Sequence, residues 1–87
     1  MDINIKNQLN SRTSQVLVYL KDNEGCNIKN ISNSTKIDYN FVTKIIYRSE
    51  EEGLVTVESD TRGKKISLTA KGKDIAKDLK KIAEKLE

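Results

Sequence analysis

The 87-residue chain has no histidine, no proline and no tryptophan, and only one cysteine and one methionine. Without an imidazole, the Ser–His and Cys–His nucleophile pairs and the usual histidine-bearing zinc sites cannot be built. No metal-ligand cluster and no other nucleophile–base pair stands at a recognisable spacing, so neither an enzyme nor a cofactor is expected. A lone Cys26 cannot form an internal disulfide, which suits a reducing cytosol and a cytoplasmic protein. It reads as a small, partly buried apolar residue; a redox sensor would need a neighbouring base, and the sequence offers none. Long apolar runs are missing too. The longest, Val16 to Leu20, is far below the roughly 20 residues of a membrane span. The opening "MDINIKNQLN" lacks the apolar region of a secretory signal. Aromatics make up 5% of the chain, and no aromatic sheet platform for stacking RNA bases is visible. With no proline, Gly25, Gly53, Gly63 and Gly72 do the punctuation.

What is abundant is charge, a third of all residues, with a net of +3. Its placement is uneven. Residues 1–59 carry seven Lys/Arg against eight Asp/Glu, residues 60–81 eight against three, and the last six residues one against two. Basic charge therefore starts abruptly near residue 60. A localised basic region on one small domain is a possible nucleic-acid footprint, although a solvated Lys-rich helix would look similar.

Periodicity divides the chain into a short series of elements. Residues 1–12 are weakly patterned, with Ile3, Ile5 and Leu9 as apolar anchors, and read as an arm or short helix. "SRTSQVLVYLKDNEG" predicts a helix capped by Ser11, Thr13 or Ser14, with Val16, Leu17 and Leu20 on one face. "NIKNISNSTKI" predicts a short second helix with Asn27 as N-cap; its Asn and Ser content means it needs tertiary packing. "DYNFVTKIIYRSEEEG" predicts a third helix between an Asp38 cap and Gly53. Phe41, Val42, Ile45 and Ile46 are expected to face inward. Glu50, Glu51 and Glu52 fall in its last turn, where the helix dipole disfavours acids. "VTVE" and "KISLT" then predict a hairpin around a polar tip. From a Thr69 cap a long helix runs to the end, with Ile75, Leu79, Ile82 and Leu86 in an a/d stripe.

Helix, short helix, helix, hairpin, helix is the order of a helix-turn-helix followed by a β-wing. The expected fold class is mostly α with a small β-hairpin, a winged helix-turn-helix with a long C-terminal helix. In that arrangement the third helix would enter a DNA major groove. Its outer stripe of Asn40, Thr43, Lys44, Tyr47 and Arg48 has suitable chemistry. Asn40 can pair with adenine, Lys44 or Arg48 can reach guanine or phosphate, and Thr43 can meet a thymine methyl. Tyr39 and Tyr47 suit phosphates at the groove edge. At the wing, Arg62, Lys64 and Lys65 cluster beside Gly63 and are expected on the minor groove or backbone. Asp60 opposes that role unless it pairs with Arg62 or caps the turn. A polar outer face and a basic tip are also ordinary features of solvated helices and protected sheet edges.

The string "EEEGLVTVESDTRGKKISLTAKG" resembles the wing of regulators of the multiple-antibiotic-resistance (MarR) type. Asp60 and Arg62 match its D-x-R tip, and Leu68, Thr69 and Gly72 match its LT-x-x-G. The resemblance spans roughly residues 13–74. Ser49 stands where that template usually carries a core leucine. Members of the family are usually longer, so this chain looks more like the compact single-wing proteins of archaea and their viruses. The resemblance implies a double-stranded DNA-binding transcription regulator acting as a homodimer on a palindromic site. The expected division is an arm over 1–12, the winged helix-turn-helix over 13–69, and a dimerisation helix over 70–87 that uses Ile75, Leu79, Ile82 and Leu86. The same stripe could instead pack on its own domain. A different class, a protein-interaction winged helix using Glu50 to Glu52 or the C-terminal stripe, keeps the same fold. The sequence names no effector.

Overall fold

The computed structural model describes residues 12–86, so the N-terminal arm, apart from Arg12, and the Ser11 cap lie outside the described residues. Four helices and one hairpin follow in the expected order: α1 (Arg12–Asp22), α2 (Ile28–Thr35), α3 (Tyr39–Glu51), β1 (Val55–Asp60), β2 (Gly63–Leu68) and α4 (Ala70–Leu86). Among the described residues no helix is long and apolar enough to cross a membrane.

Local chemistry sets the helix starts. Asn27 caps α2 by accepting the Asn30 N–H at 2.7 Å, and the Asn30 side chain accepts the Asn27 N–H in return at 3.4 Å. This reciprocal box satisfies two orphan donors and offsets the poor helix propensity of the segment. Lys36 ends α2 in the left-handed region, at φ 63°. The Ser32 hydroxyl then donates to the Ile37 carbonyl at 2.6 Å, closing the turn between the two helices from within. Asp38 caps α3 by accepting the Asn40 N–H at 3.0 Å.

The core collects Val16, Leu17 and Leu20 of α1, Ile28 and Ile31 of α2, Val42, Ile45 and Ile46 of α3, and the roots of the hairpin. Phe41 departs from expectation. It is 46% exposed, while Ser49 is only 2% exposed. At about 100° per residue, Val42, Ile45, Ile46 and Ser49 centre the buried face, and Phe41 falls about a quarter-turn away. The small Ser49 thus occupies the inward position at the close-packed end of α3, and the larger ring goes to the flank.

The hairpin pairs Val55 with Leu68 through Asp60 with Gly63, leaving Thr61 and Arg62 as the turn. A third segment joins it, which no local pattern announces. The Gly25 N–H donates to the Ile66 carbonyl at 2.9 Å, and the Ile66 N–H donates to the Cys26 carbonyl at 2.8 Å. The wing is therefore stitched at its base to the link between α1 and α2.

Thr69 caps α4 as expected, accepting the Gly72 N–H at 3.0 Å while its hydroxyl donates to the Gly53 carbonyl at 2.6 Å. The first half of α4 belongs to the core: Ala76 is fully buried, and Ile75 and Leu79 pack against it. Lys80 meets Asp22 at 3.5 Å and Lys73 meets Glu24 at 3.6 Å, tying α4 to the end of α1. Such exposed pairs orient more than they stabilise.

Candidate nucleic-acid interface

α3 and the wing tip meet across an open cleft lined by Asn27, Lys29, Tyr39, Asn40, Thr43, Tyr47, Arg62 and Lys64, with no acidic residue in its lining. Lys64 holds the wing to the helix. Its ammonium donates to the Tyr47 hydroxyl at 2.6 Å and lies 5.1 Å from the centre of its ring. That hydrogen bond and the electrostatic interaction with Tyr47 raise the Lys64 pKa above its ordinary value.

The turn itself is built by Asp60. Its carboxylate accepts the Arg62 N–H at 2.8 Å and lies 3.6 Å from the Lys65 ammonium. Asp60 is therefore occupied with the turn and with Lys65, and among the described residues no carboxylate pairs with the Arg62 guanidinium. Lys65 lines a second recess with Gly25, Asn30 and Asp60, which shares Asn27, Arg62, Gly63 and Lys64 with the first.

Along α3, Asn40, Lys44, Tyr47 and Arg48 are exposed, as expected for an outward stripe. Tyr39 is exposed as well, at 53%. Thr43 is half-buried, and its hydroxyl donates to the Tyr39 carbonyl at 3.0 Å. Its methyl and both oxygen lone pairs remain for a ligand, so it can accept hydrogen bonds but not donate one in this rotamer. Arg48 lies 3.8 Å from Glu52 in an i,i+4 pair that is mostly in solvent, and such a pair does not prevent Arg48 from reaching outward. Lys44 and Arg48 stand outside the cleft, further round the helix. The structure thus gathers Tyr39, Asn40, Thr43, Tyr47, Arg62 and Lys64 in one place and holds Lys44, Arg48 and Lys65 on its margins.

Lys29 and Asn27 joined the cleft without being anticipated. Their signal was weak: a lysine in the first turn of a short helix, with nothing local to show that the wing would close over it. Lys71 of α4 donates to the Glu52 carbonyl at 3.3 Å, placing a cation at the negative end of the helix dipole.

Cys26 is half-buried, and burial pushes its thiol pKa up, the reverse of what a reactive thiolate needs. Among the described residues no group of three or more Cys, Asp or Glu is arranged to hold a metal ion.

A helix-turn-helix whose second helix carries an exposed polar stripe, with a basic hairpin locked beside it, defines a winged helix-turn-helix protein. The comparisons agree on that class. No protein-family model matches the chain. Its structure is similar to that of AF1382 from Archaeoglobus fulgidus, with 27% identity and a TM-score of 0.84 over 98% of each chain. It is also similar to the transcriptional regulator SlyA, with 26% identity and a TM-score of 0.80 over 94% of this chain and 61% of that one. In sequence it is 28% identical over 72 residues to the HTH-type transcriptional regulator BilQ of Clostridioides difficile (strain CD3). That match covers 79% of this chain and 49% of BilQ, so the chain spans about half the length of the curated relative. Of the structures it resembles, SlyA is a winged-helix transcriptional regulator of the MarR type, and MepR, a transcription regulator of Staphylococcus aureus 17% identical to this chain, shares the fold.

Proposed function

We propose that this protein is a cytoplasmic transcription regulator that binds double-stranded DNA sequence-specifically as a homodimer. The observation that carries the reading is the acid-free cleft joining α3 to the wing, fixed by the Lys64–Tyr47 hydrogen bond on a fold shared with transcriptional regulators. α3 enters the major groove, which admits one helix. Asn40, Thr43, Lys44 and Arg48 read base edges, and Tyr39 and Tyr47 meet phosphates beside them. Arg62 reaches the neighbouring minor groove or backbone, with Lys64 and Lys65 behind it.

The dimer rests on α4 and the stripe Ile75, Leu79, Ile82 and Leu86. Ile75 and Leu79 already lean on their own core, so the outer part of the stripe carries the contact. An apolar groove between α1 and α4, lined by Val18, Tyr19, Leu79 and Ala83, supports an interface there. To read a palindrome, two copies joined there would set their α3 helices one DNA turn apart, about 34 Å. Selection of bound sequences from a random duplex library, with titration at two salt concentrations, tests the reading. A palindromic consensus with salt-dependent affinity is the expected result. Absence of duplex binding would overturn it in favour of a protein-interaction domain.

A further inference from the structure

Phe41 has left the core, and Arg12 is what covers it. The Arg12 guanidinium carbon lies 5.3 Å from the centre of the Phe41 ring. The chain has four aromatic residues, three Tyr and one Phe, and three of them, Tyr39, Phe41 and Tyr47, are exposed on α3. At 3.6 residues per turn, Phe41 stands about 120° round the helix from Tyr47, with Lys44 and Arg48 between them. The wing lies on the Tyr47 side. Arg12, at the start of α1, therefore lies on the opposite flank of the exposed stripe. Each flank of α3 carries the same device, a cation held against an aromatic ring: Lys64 with Tyr47 on one side, Arg12 with Phe41 on the other.

The two pairs differ in a way that matters. Phenylalanine offers Arg12 no hydrogen-bond acceptor, and among the described residues no carboxylate pairs with it. A guanidinium against a ring keeps its five N–H donors, which point outward in its own plane and match a phosphate. A helix with side chains is about 10–12 Å across, and the major groove is about 12 Å wide. Cations on both flanks of such a helix face the phosphates of both groove walls.

We propose that Arg12, held by Phe41, is a second anchor for the DNA backbone, so that the protein grips both walls of the major groove. The proposal rests on the DNA-binding reading above. It adds an anchor from α1, outside the helix-turn-helix and the wing, and gives exposed Phe41 a function.

The test uses the full chain, the duplex recovered by library selection and an unrelated duplex of equal length. Arg12→Ala should weaken binding to both duplexes by a similar factor and lower the salt slope by about 0.9, the share of one neutralised phosphate. The wild-type advantage over the variant should then shrink about 3.5-fold between 50 and 200 mM salt. Arg12→Lys should restore the slope but not the full affinity, because an ammonium lacks the planar fork. Phe41→Leu should keep the slope and lose affinity, since the charge remains but its support is gone. Melting curves check that each variant is folded. If Arg12→Ala binds both duplexes with wild-type affinity and slope, or loses affinity only as far as it loses stability, the proposal is wrong. In that case intact salt-dependent binding by the wild type, reduced in the Arg62→Ala/Lys64→Ala variant, would leave the DNA reading standing. No duplex binding by the wild type would overturn both.

Discussion

Gly72 is the point where one methyl group should do the most damage. It lies in α4 with ordinary helical backbone, so no dihedral requires glycine there; space does. A Cβ at this position would sit 3.0 Å from the Leu54 carbonyl carbon and 3.2 Å from Leu68 Cδ2, and closer still to the Leu54 carbonyl oxygen. The obstructing atoms are backbone, which cannot rotate aside. The same Leu54 carbonyl accepts the Thr69 N–H at 3.0 Å, so α4 cannot move away without loosening its own start. Overpacking of this kind costs about 1–3 kcal/mol. Weakening the Thr69 bond adds about 1 kcal/mol, and the better helix propensity of alanine returns at most about 1 kcal/mol. Gly72→Ala should therefore be destabilised by about 1–3 kcal/mol. For a domain of this size that lowers the melting temperature by roughly 5–20 °C. Thermal melting followed by far-ultraviolet circular dichroism, with a urea titration for the free energy, measures both. The effect should reach the wing, because Leu54 leads directly into β1 and Thr69 ties Gly53. A variant that melts at or above the wild-type temperature would refute the close approach of α4 to Leu54.

Other substitutions probe the proposed interface. Asn40→Ala and Arg48→Ala should leave the melting temperature unchanged and each remove about 1–3 kcal/mol of discrimination at one base position, read by competition with single-base variants of the selected site. Arg62→Ala combined with Lys64→Ala should weaken binding to every duplex and reduce the salt slope by about 0.9 for each phosphate left unneutralised; an unchanged slope would remove the wing from the DNA. Ile82→Glu is a cleaner test of the dimer than Leu79→Glu, since Leu79 also packs on its own core: sedimentation should show folded monomers with half-site affinity, whereas a wild-type monomer at micromolar concentration would end the dimer proposal. Cys26 should react with a maleimide at neutral pH more slowly than a free cysteine and speed up as pH rises, because burial raises its pKa and lowers the thiolate fraction; reaction at the free-cysteine rate would contradict that.

Much of this protein was legible in the order of its residues, because the relevant physics is local. Asn27, Asp38 and Thr69 were expected as caps and cap their helices, since a cap needs only donors two or three residues ahead. The spacing of Val42, Ile45 and Ile46 identified the buried face of α3, and the same periodicity exposed Asn40, Lys44, Tyr47 and Arg48. The alternation of the two β runs around a polar tip located the hairpin. What the tertiary structure alone decided involves residues far apart in the chain. Phe41 was expected inside, yet its quarter-turn offset puts it on the flank once α1 and the hairpin occupy the space inside. The Cys26–Ile66 bridge joins segments some forty residues apart, and an unpaired strand edge carries no mark of the partner it will take. The Lys64–Tyr47 and Arg12–Phe41 pairs depend on how the wing and α1 are carried to α3. Gly72 matched a family pattern in the sequence, but only the approach of α4 to Leu54 supplies the reason. Periodicity tells each helix which side is apolar; the packing of all the helices together decides which polar and aromatic groups meet on the other side.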